Sequence, residues 1–418
     1  MSGNELGDQL EEMAAELLDR YEELTLLYDL AGSLASVFEV ARICEIALEK
    51  AAQAIGATEA VVGLTGEHGV ELVAALGGAG LDGGGITEHV ATTGRELLLH
   101  EQDPGPEQAL RIQGQSVLSV PLIPPGAEAA IGALTLAGKR GGLEFSAGDA
   151  KLANAVATQL AVAIHTSRLV DSQRVAEAVR REVEIAAGIQ RTLLPERPPD
   201  LPGVELAALY VPAATLGGDY YDFIADAEGR VSIVIADVAG HSIGSALMMA
   251  MARSILRREL AEGAQPAAVL EATNTALFED LVRAGLFITA YCARFDPASG
   301  TLVYANAGHN PPLLRVGGSG EIVELDADGA SLGILAEVGF EQGETRLAPG
   351  DAVLLYTDGV TEAAGTGEQF GETRLRMSFD DRSPRDLVDG IYAAVRAHAG
   401  DARGDDVTLV VVRAGGPV

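Results

Sequence analysis

Tryptophan is absent from this 418-residue chain, and aromatic residues of all kinds make up only 4% of it. Cysteine occurs twice, at Cys44 and Cys292, far apart and each among apolar neighbours. That excludes a disulfide framework and any cysteine-based metal pattern, and both thiols read as small core residues. Basic residues are scarce: 29 Lys and Arg stand against 61 Asp and Glu, for a net charge of −32. Such a chain is unsuited to a nucleic-acid backbone or an anionic membrane as its main partner. No apolar run approaches the 18 residues of a membrane span. The opening MSGNELGDQLEEM is acidic and has no apolar core of the kind a secretory signal needs. These absences lead us to expect a soluble cytoplasmic protein. Hydrophobic residues reach 48%, and the length suits two or three domains, so the chain can bury real cores.

The stretch from 217 to 241 is the most informative. Gly217-Gly218-Asp219-Tyr220-Tyr221-Asp222-Phe223 and VSIVIADV (231–238) read as two strands, followed by Ala239-Gly240-His241. The cluster Asp226-Ala227-Glu228-Gly229 reads as the turn between them. A hairpin centred on Glu228 sets Asp219, nine residues before, opposite Asp237, nine after. Like charges directly opposite in a sheet are destabilising. A buried pair therefore needs a cation between its members or a raised pKa. Oxygen donors of this kind favour Mg²⁺ or Mn²⁺ over zinc.

Residues 5–30 have an amphipathic helical pattern, with Leu6, Leu10, Met13, Leu17, Tyr21, Leu24 and Tyr28 stepping by three or four. So narrow a stripe is expected to form a helix–helix seam, and with it a homodimer contact. Residues 35–168 read as one α+β domain. It has a helix over about 38–55, strands at Ala60–Leu64 and Val70–Leu76, a glycine-rich loop at Gly77–Gly85, and a short helix at Ile86–Thr93. Further strands are expected at Ser116–Ile123 and Ile131–Ala137. Ser146 and Asp149 form a capping-box-like start to a long closing helix. Residues 169–195 continue as a charged helical linker, with Val175, Val179, Val183, Ala186, Ile189 and Leu193 on one face. Pro195, Pro198, Pro199 and Pro202 end it. From 196 to 418 many strands flank two adjacent helices, near 243–260 and 266–283, which implies a sheet sandwich covered by helices.

Two resemblances follow from these residues. Ser119-Val120-Pro121-Leu122, Ile131-Gly132-Ala133-Leu134 and Phe145-Ser146 with the closing helix make 35–168 similar to a GAF domain. No residue set there names a ligand. GGDYYDF, DVAGH, ANAGHNPP (305–312), YTDGVTEA (356–363) and DDVTL make the C-terminal half resemble a SpoIIE-like, type 2C metal-dependent serine/threonine phosphatase. The implied fold is a GAF domain joined by a coiled-coil-like helix to an αββα sandwich. The resemblance implies two Mn²⁺ or Mg²⁺ ions held by Asp219, Asp237, Asp358 and one of Asp405 or Asp406, with the Val238 carbonyl beside Asp237. Asp405 is favoured, because the family's ligand stands three residues before the Thr of the last strand. A hydroxide bridging the two metals would then hydrolyse a phosphoserine or phosphothreonine ester without a covalent nucleophile. His241 is a candidate for protonating the leaving oxygen, and His309 for fixing a loop at the site's edge. By resemblance the substrate is a phosphorylated STAS-type anti-sigma-factor antagonist. Two departures stand out: Ser242 replaces the usual Gly after His241, and Tyr210–Gly218 holds no Arg or Lys to grip phosphate. A catalytically silent scaffold and a two-metal hydrolase of small phosphoesters are the alternatives. The linker is further expected to pack on the helix near 243–260 and to act on the metal-bearing loops.

Overall fold

The computed structural model describes residues 13, 17, 21, 24–77, 85–100, 115–240, 242–365, 367–400 and 404–416. Leu6, Leu10, most of the expected glycine-rich loop (78–84) and His241 lie outside the described residues. The chain divides into two compact units, Met1–Ala178 and Val179–Val418. Among the described residues no helix is long and apolar enough to cross a membrane.

The first unit holds α1 (residues 24–34), α2 (Val40–Ile55), β1 (Ala57–Gly66), β2 (Gly69–Leu76), α3 (Ile86–Thr93), β3 (Leu97–Leu99), β4 (Val117–Pro121) and β5 (Gly132–Lys139). Its five strands form an antiparallel sheet in the order β2-β1-β5-β4-β3. Alternation along β1 explains the layering. Ala60, Val62 and Leu64 face a core shared with Ile43, Cys44 and Leu48 of α2, while Val61 faces the opposite side with Val90 of α3. The helix α4 (Ala147–Leu193) is continuous. Ser146 and Asp149 cap its start reciprocally: the Ser146 N–H donates to Asp149 Oδ2 at 2.7 Å, and the Asp149 N–H to Ser146 Oγ at 3.3 Å. Val156, Leu160 and Ile164 seal the first unit's core. Met13, Leu17, Tyr21, Leu24 and Tyr28 of the N-terminal stretch are all exposed.

The second unit adds β6 (Val204–Val211), β7 (Tyr220–Ala225), β8 (Val231–Val238), α5 (Ile243–Ala261), α6 (Pro266–Ala284), β9 (Ile288–Asp296), β10 (Thr301–Ala307), β11 (Leu313–Arg315), β12 (Ile322–Glu324), β13 (Gln342–Arg346), β14 (Ala352–Tyr356), α7 (Asp358–Thr361), α8 (Gly371–Ser378), α9 (Pro384–Ala399) and β15 (Val407–Ala414). Two antiparallel five-stranded sheets result, β13-β10-β9-β8-β7 and β12-β11-β14-β15-β6. The period-two pattern sets them face to face. Val353, Leu355, Val410 and Val412 join Ile233, Ile235 and Phe295 in one core, whereas Leu354, Leu409 and Val411 turn outward onto Leu387, Ile391 and Val395 of α9. Met249, Leu256, Leu270 and Leu277 of α5 and α6 belong to the first of these cores. Layers of helix, sheet, sheet and helix follow, and both sheets end at the chemistry described below.

Cys44 and Cys292 are fully buried in separate cores, and burial pushes both thiols up to about 12. The thiolate is the reactive form, so raised values suppress reactivity. Ellman's reagent at pH 8 should find no thiol in the native chain and both after unfolding in guanidinium; fast native labelling of either would contradict this packing.

Candidate active site

The β7–β8 hairpin turns at Asp226–Gly229, where the Asp226 carboxylate accepts the backbone N–H groups of Glu228 and Arg230. Its register pairs Tyr220 with Ala236 and Ala225 with Val231. One step beyond, the Val238 N–H donates to the Gly218 carbonyl at 3.3 Å, so Asp219 and Asp237 stand opposite each other. Burial first, and then the charge of Asp237 and Asp406, holds the Asp219 carboxyl well above the usual range. Burial and the charges of Asp358, Asp405 and Asp406 push Asp237 up to about 7. Asp358, at the start of α7, is raised by burial, Asp405 and Glu362. Four carboxylates thus lie within electrostatic reach, two from the end of each sheet, and each raised one feels at least one of the others.

The surrounding groups orient the carboxylates without neutralising them. Asp219 Oδ2 accepts from the hydroxyls of Thr357, at 2.8 Å, and Thr408, which reach across from the other sheet. Asp406 is 2% exposed and accepts three backbone N–H groups: Ala213 at 2.8 Å, Gly218 at 2.8 Å and Asp219 at 3.5 Å. It pins the segment that delivers Asp219. Among the described residues, the adjacent Asp405 accepts the N–H of Asp406 at 2.8 Å. Asp222 is buried on the other face of β7, with the Tyr220 hydroxyl at 2.8 Å and the Arg257 guanidinium as partners, away from this cluster.

Two glycines are required here by space. A Cβ on Gly218 would lie 2.5 Å from the Val238 carbonyl oxygen and 3.2 Å from Asp237 Oδ1. One on Gly359 would lie 1.9 Å from the Asp406 carbonyl oxygen. Behind Gly217, Gln190 of α4 uses both ends of its amide: Nε2 donates to the Gly217 carbonyl at 2.6 Å, and Oε1 accepts the Gly217 N–H at 3.2 Å. Ala187 of α4 packs with Leu216 and with Ala246 of α5. Ser242, the departure noted in the sequence, caps α5 by accepting the Ser245 N–H at 3.2 Å.

Comparison with known proteins fits this geometry. Residues 227–415 match the family described as stage II sporulation protein E (SpoIIE), and residues 39–164 match the GAF domain. The chain is 32% identical over 240 residues to phosphoserine phosphatase RsbU of Bacillus subtilis (strain 168), a match covering 57% of this chain and 71% of RsbU. The chain belongs to the SpoIIE-type protein phosphatases. Phosphoserine phosphatase RsbP of the same organism is 29% identical over 238 residues, 56% of this chain and 58% of RsbP. Among solved structures, the SiaA-PP2C domain of Pseudomonas aeruginosa is 26% identical, with a TM-score of 0.49, over 57% of this chain and 98% of that one. As a SpoIIE-type phosphatase with a GAF domain, the chain is a metal-dependent protein phosphatase.

The donor set fits divalent cations. It is all oxygen, it carries a surplus of negative charge, and Gly218 leaves the Val238 carbonyl open beside Asp237. Among the described residues no three Asp, Glu, His or Cys side chains already converge tightly enough to enclose an ion. Sequence reading missed Gln190, and it missed the hydroxyls of Thr357 and Thr408 as supports of Asp219. Their signal lay in the YTDG and DDVTL motifs, where each Thr neighbours an Asp-bearing turn.

Gly218→Ala should cost roughly 100-fold in kcat/KM, since a displacement of about 1 Å at such a site is enough for that. Its far-ultraviolet circular dichroism should stay that of the native chain. Wild-type activity in Gly218→Ala would show that the Val238 carbonyl and Gly218 do not need their close approach.

Proposed function

We propose that this SpoIIE-type phosphatase hydrolyses phosphoserine or phosphothreonine using two Mn²⁺ or Mg²⁺ ions held by Asp219, Asp237, Asp358 and Asp405, with the Val238 carbonyl beside Asp237. The observation that supports this is the approach of carboxylates from both sheets, Asp219 opposite Asp237, each raised by burial and then by its neighbours' charge. Asp405 is preferred to Asp406 because both Asp406 oxygens already accept backbone N–H groups. Divalent cations bound there supply charge neutralisation for the phosphoryl oxygens and an activated water. The protein's own part is positional. Thr357 and Thr408 aim Asp219, and Asp406 and Gln190 hold the backbone on either side of Gly218. His241 is assigned proton donation to the leaving serine oxygen on its sequence position alone.

The substrate we propose is a phosphorylated STAS-type anti-sigma-factor antagonist, carried over from the family resemblance. The organisation we propose is a GAF sensor over 35–168, a helical linker over 169–195 and a phosphatase over 196–418. The Gln190 amide on Gly217 offers the linker a direct grip on the segment bearing Asp219. Homodimerisation through the helical segments is supported by the exposed N-terminal stripe, on which Leu17 is 64% and Tyr28 80% exposed.

Hydrolysis of p-nitrophenyl phosphate should require Mn²⁺ or Mg²⁺. Asp237→Asn should lose more than the ~10–100-fold that changes around a metal's ligands typically cost. Metal-independent turnover, or full activity in Asp237→Asn, would sink the two-metal reading. On size-exclusion chromatography with light scattering, the full chain should run as a dimer, and Leu17→Glu combined with Tyr28→Glu should run as a monomer. A wild-type monomer at tens of micromolar would remove the helical seam.

A further inference from the structure

His309 lies in the β10–β11 connection, outside the carboxylate cluster, yet it is only 5% exposed and held on every side. Its backbone N–H donates to Asn306 Oδ1 at 2.8 Å, and its carbonyl accepts from Asn306 Nδ2 at 2.9 Å. The preceding Gly308 takes φ +66°, and a Cβ there would meet Ser331 Oγ at 2.4 Å, so this turn requires glycine. The ring is therefore delivered to one place. There Nδ1 is 2.8 Å from the Thr289 hydroxyl, while Nε2 makes no full hydrogen bond among the described residues, although the Tyr356 backbone acts on the ring. Thr289 is the residue directly across β8–β9 from Asp237. Residues opposite one another in an antiparallel pair project from the same face, with Cβ atoms about 5 Å apart.

Burial holds the imidazole down at about 4, a weaker backbone interaction with Tyr356 working the other way, so the ring is neutral at physiological pH. A neutral ring cannot offset the charge on Asp237. What it can do is fix the rotamer of Thr289, a branched side chain that projects from the same sheet face as Asp237. Asn306 already anchors the loop, so the contact of the ring with Thr289 is not needed for that purpose.

We propose that His309 is a positioning residue which, through Thr289, sets the orientation of Asp237 for metal binding; the proposal rests on the metal-site reading above. The test is calorimetric titration of the full-length chain with Mn²⁺, with urea unfolding alongside. Thr289→Val, which keeps the shape and removes the hydroxyl, and His309→Leu should each weaken Mn²⁺ binding by about tenfold. The double variant should be no weaker than the weaker single one, because both break one link. His309→Asn, whose amide reaches where Nδ1 stands, should lie closer to wild type than to His309→Leu. Thr289→Val should still unfold in one cooperative urea transition and be fully folded in the titration buffer, although the loss of the Nδ1 partner lowers its midpoint. Asp237→Asn separates the two levels. If it weakens Mn²⁺ binding while Thr289→Val does not, the role of His309 is overturned and the metal site stands. If Asp237→Asn binds Mn²⁺ as wild type does, the metal-site reading falls and this inference with it.

Discussion

Repulsion between Asp219 and Asp237 is the constraint around which the second unit is built. A hairpin that sets two carboxylates face to face at a buried strand end opposes its own formation. The rest of the unit supplies what that arrangement lacks. Hydroxyls from Thr357 and Thr408 cross from the second sheet to one oxygen of Asp219. Backbone N–H groups are spent on Asp406 rather than on the facing pair. The pair is thereby oriented while its pKa values stay raised, by burial first and by the neighbouring carboxylates second.

The two sheets take complementary parts in this. One contributes the hairpin, whose position follows from a strong alternating pattern and a turn held by Asp226. The other contributes Asp358 and Asp405, which lie just beyond the paired ends of the neighbouring strands β14 and β15. Neither sheet alone holds all four carboxylates. Face-to-face packing through Ile233, Ile235, Val353 and Val410 is what brings the halves together, so hydrophobic burial at the core also assembles the charge cluster.

Much of this was legible in the residues. The hairpin centred on Glu228, the continuous helix through 147–193, the strands β8 and β14 and the helices α5, α6 and α9 all carry strong periodicity or clear stop signals. The elements overlooked are short or polar. Leu97–Leu99 and Ile322–Glu324 are three residues each, and the edge strand Gln342–Arg346 reads QGETR, with no apolar residue to mark it. Edge strands lean on their neighbour's backbone, which leaves no side-chain signature. At the site, the acidic motifs announced themselves through their glycines. Supports that act over long sequence separations did not. Gln190 looks like one more polar residue on a charged helix until Gly217 is set beside it.

Asp405 and Asp406 are neighbours with opposite surroundings, the first facing the charges of Asp237 and Asp358 and the second facing the backbone of 213–219. They lead directly into β15, where Val410 and Val412 turn to one core and Leu409 and Val411 to the other. A slip of this strand by one residue would exchange the two carboxylates and turn every side chain to the opposite face. Both faces of β15 are apolar, so the cores alone tell the two registers apart only weakly. The polar partners tell them apart: a slipped strand takes the Thr408 hydroxyl away from Asp219 and the Asp406 carboxylate away from the N–H groups of Ala213 and Gly218. The bonds that order the charges of the centre are therefore also the bonds that fix the register of the strand.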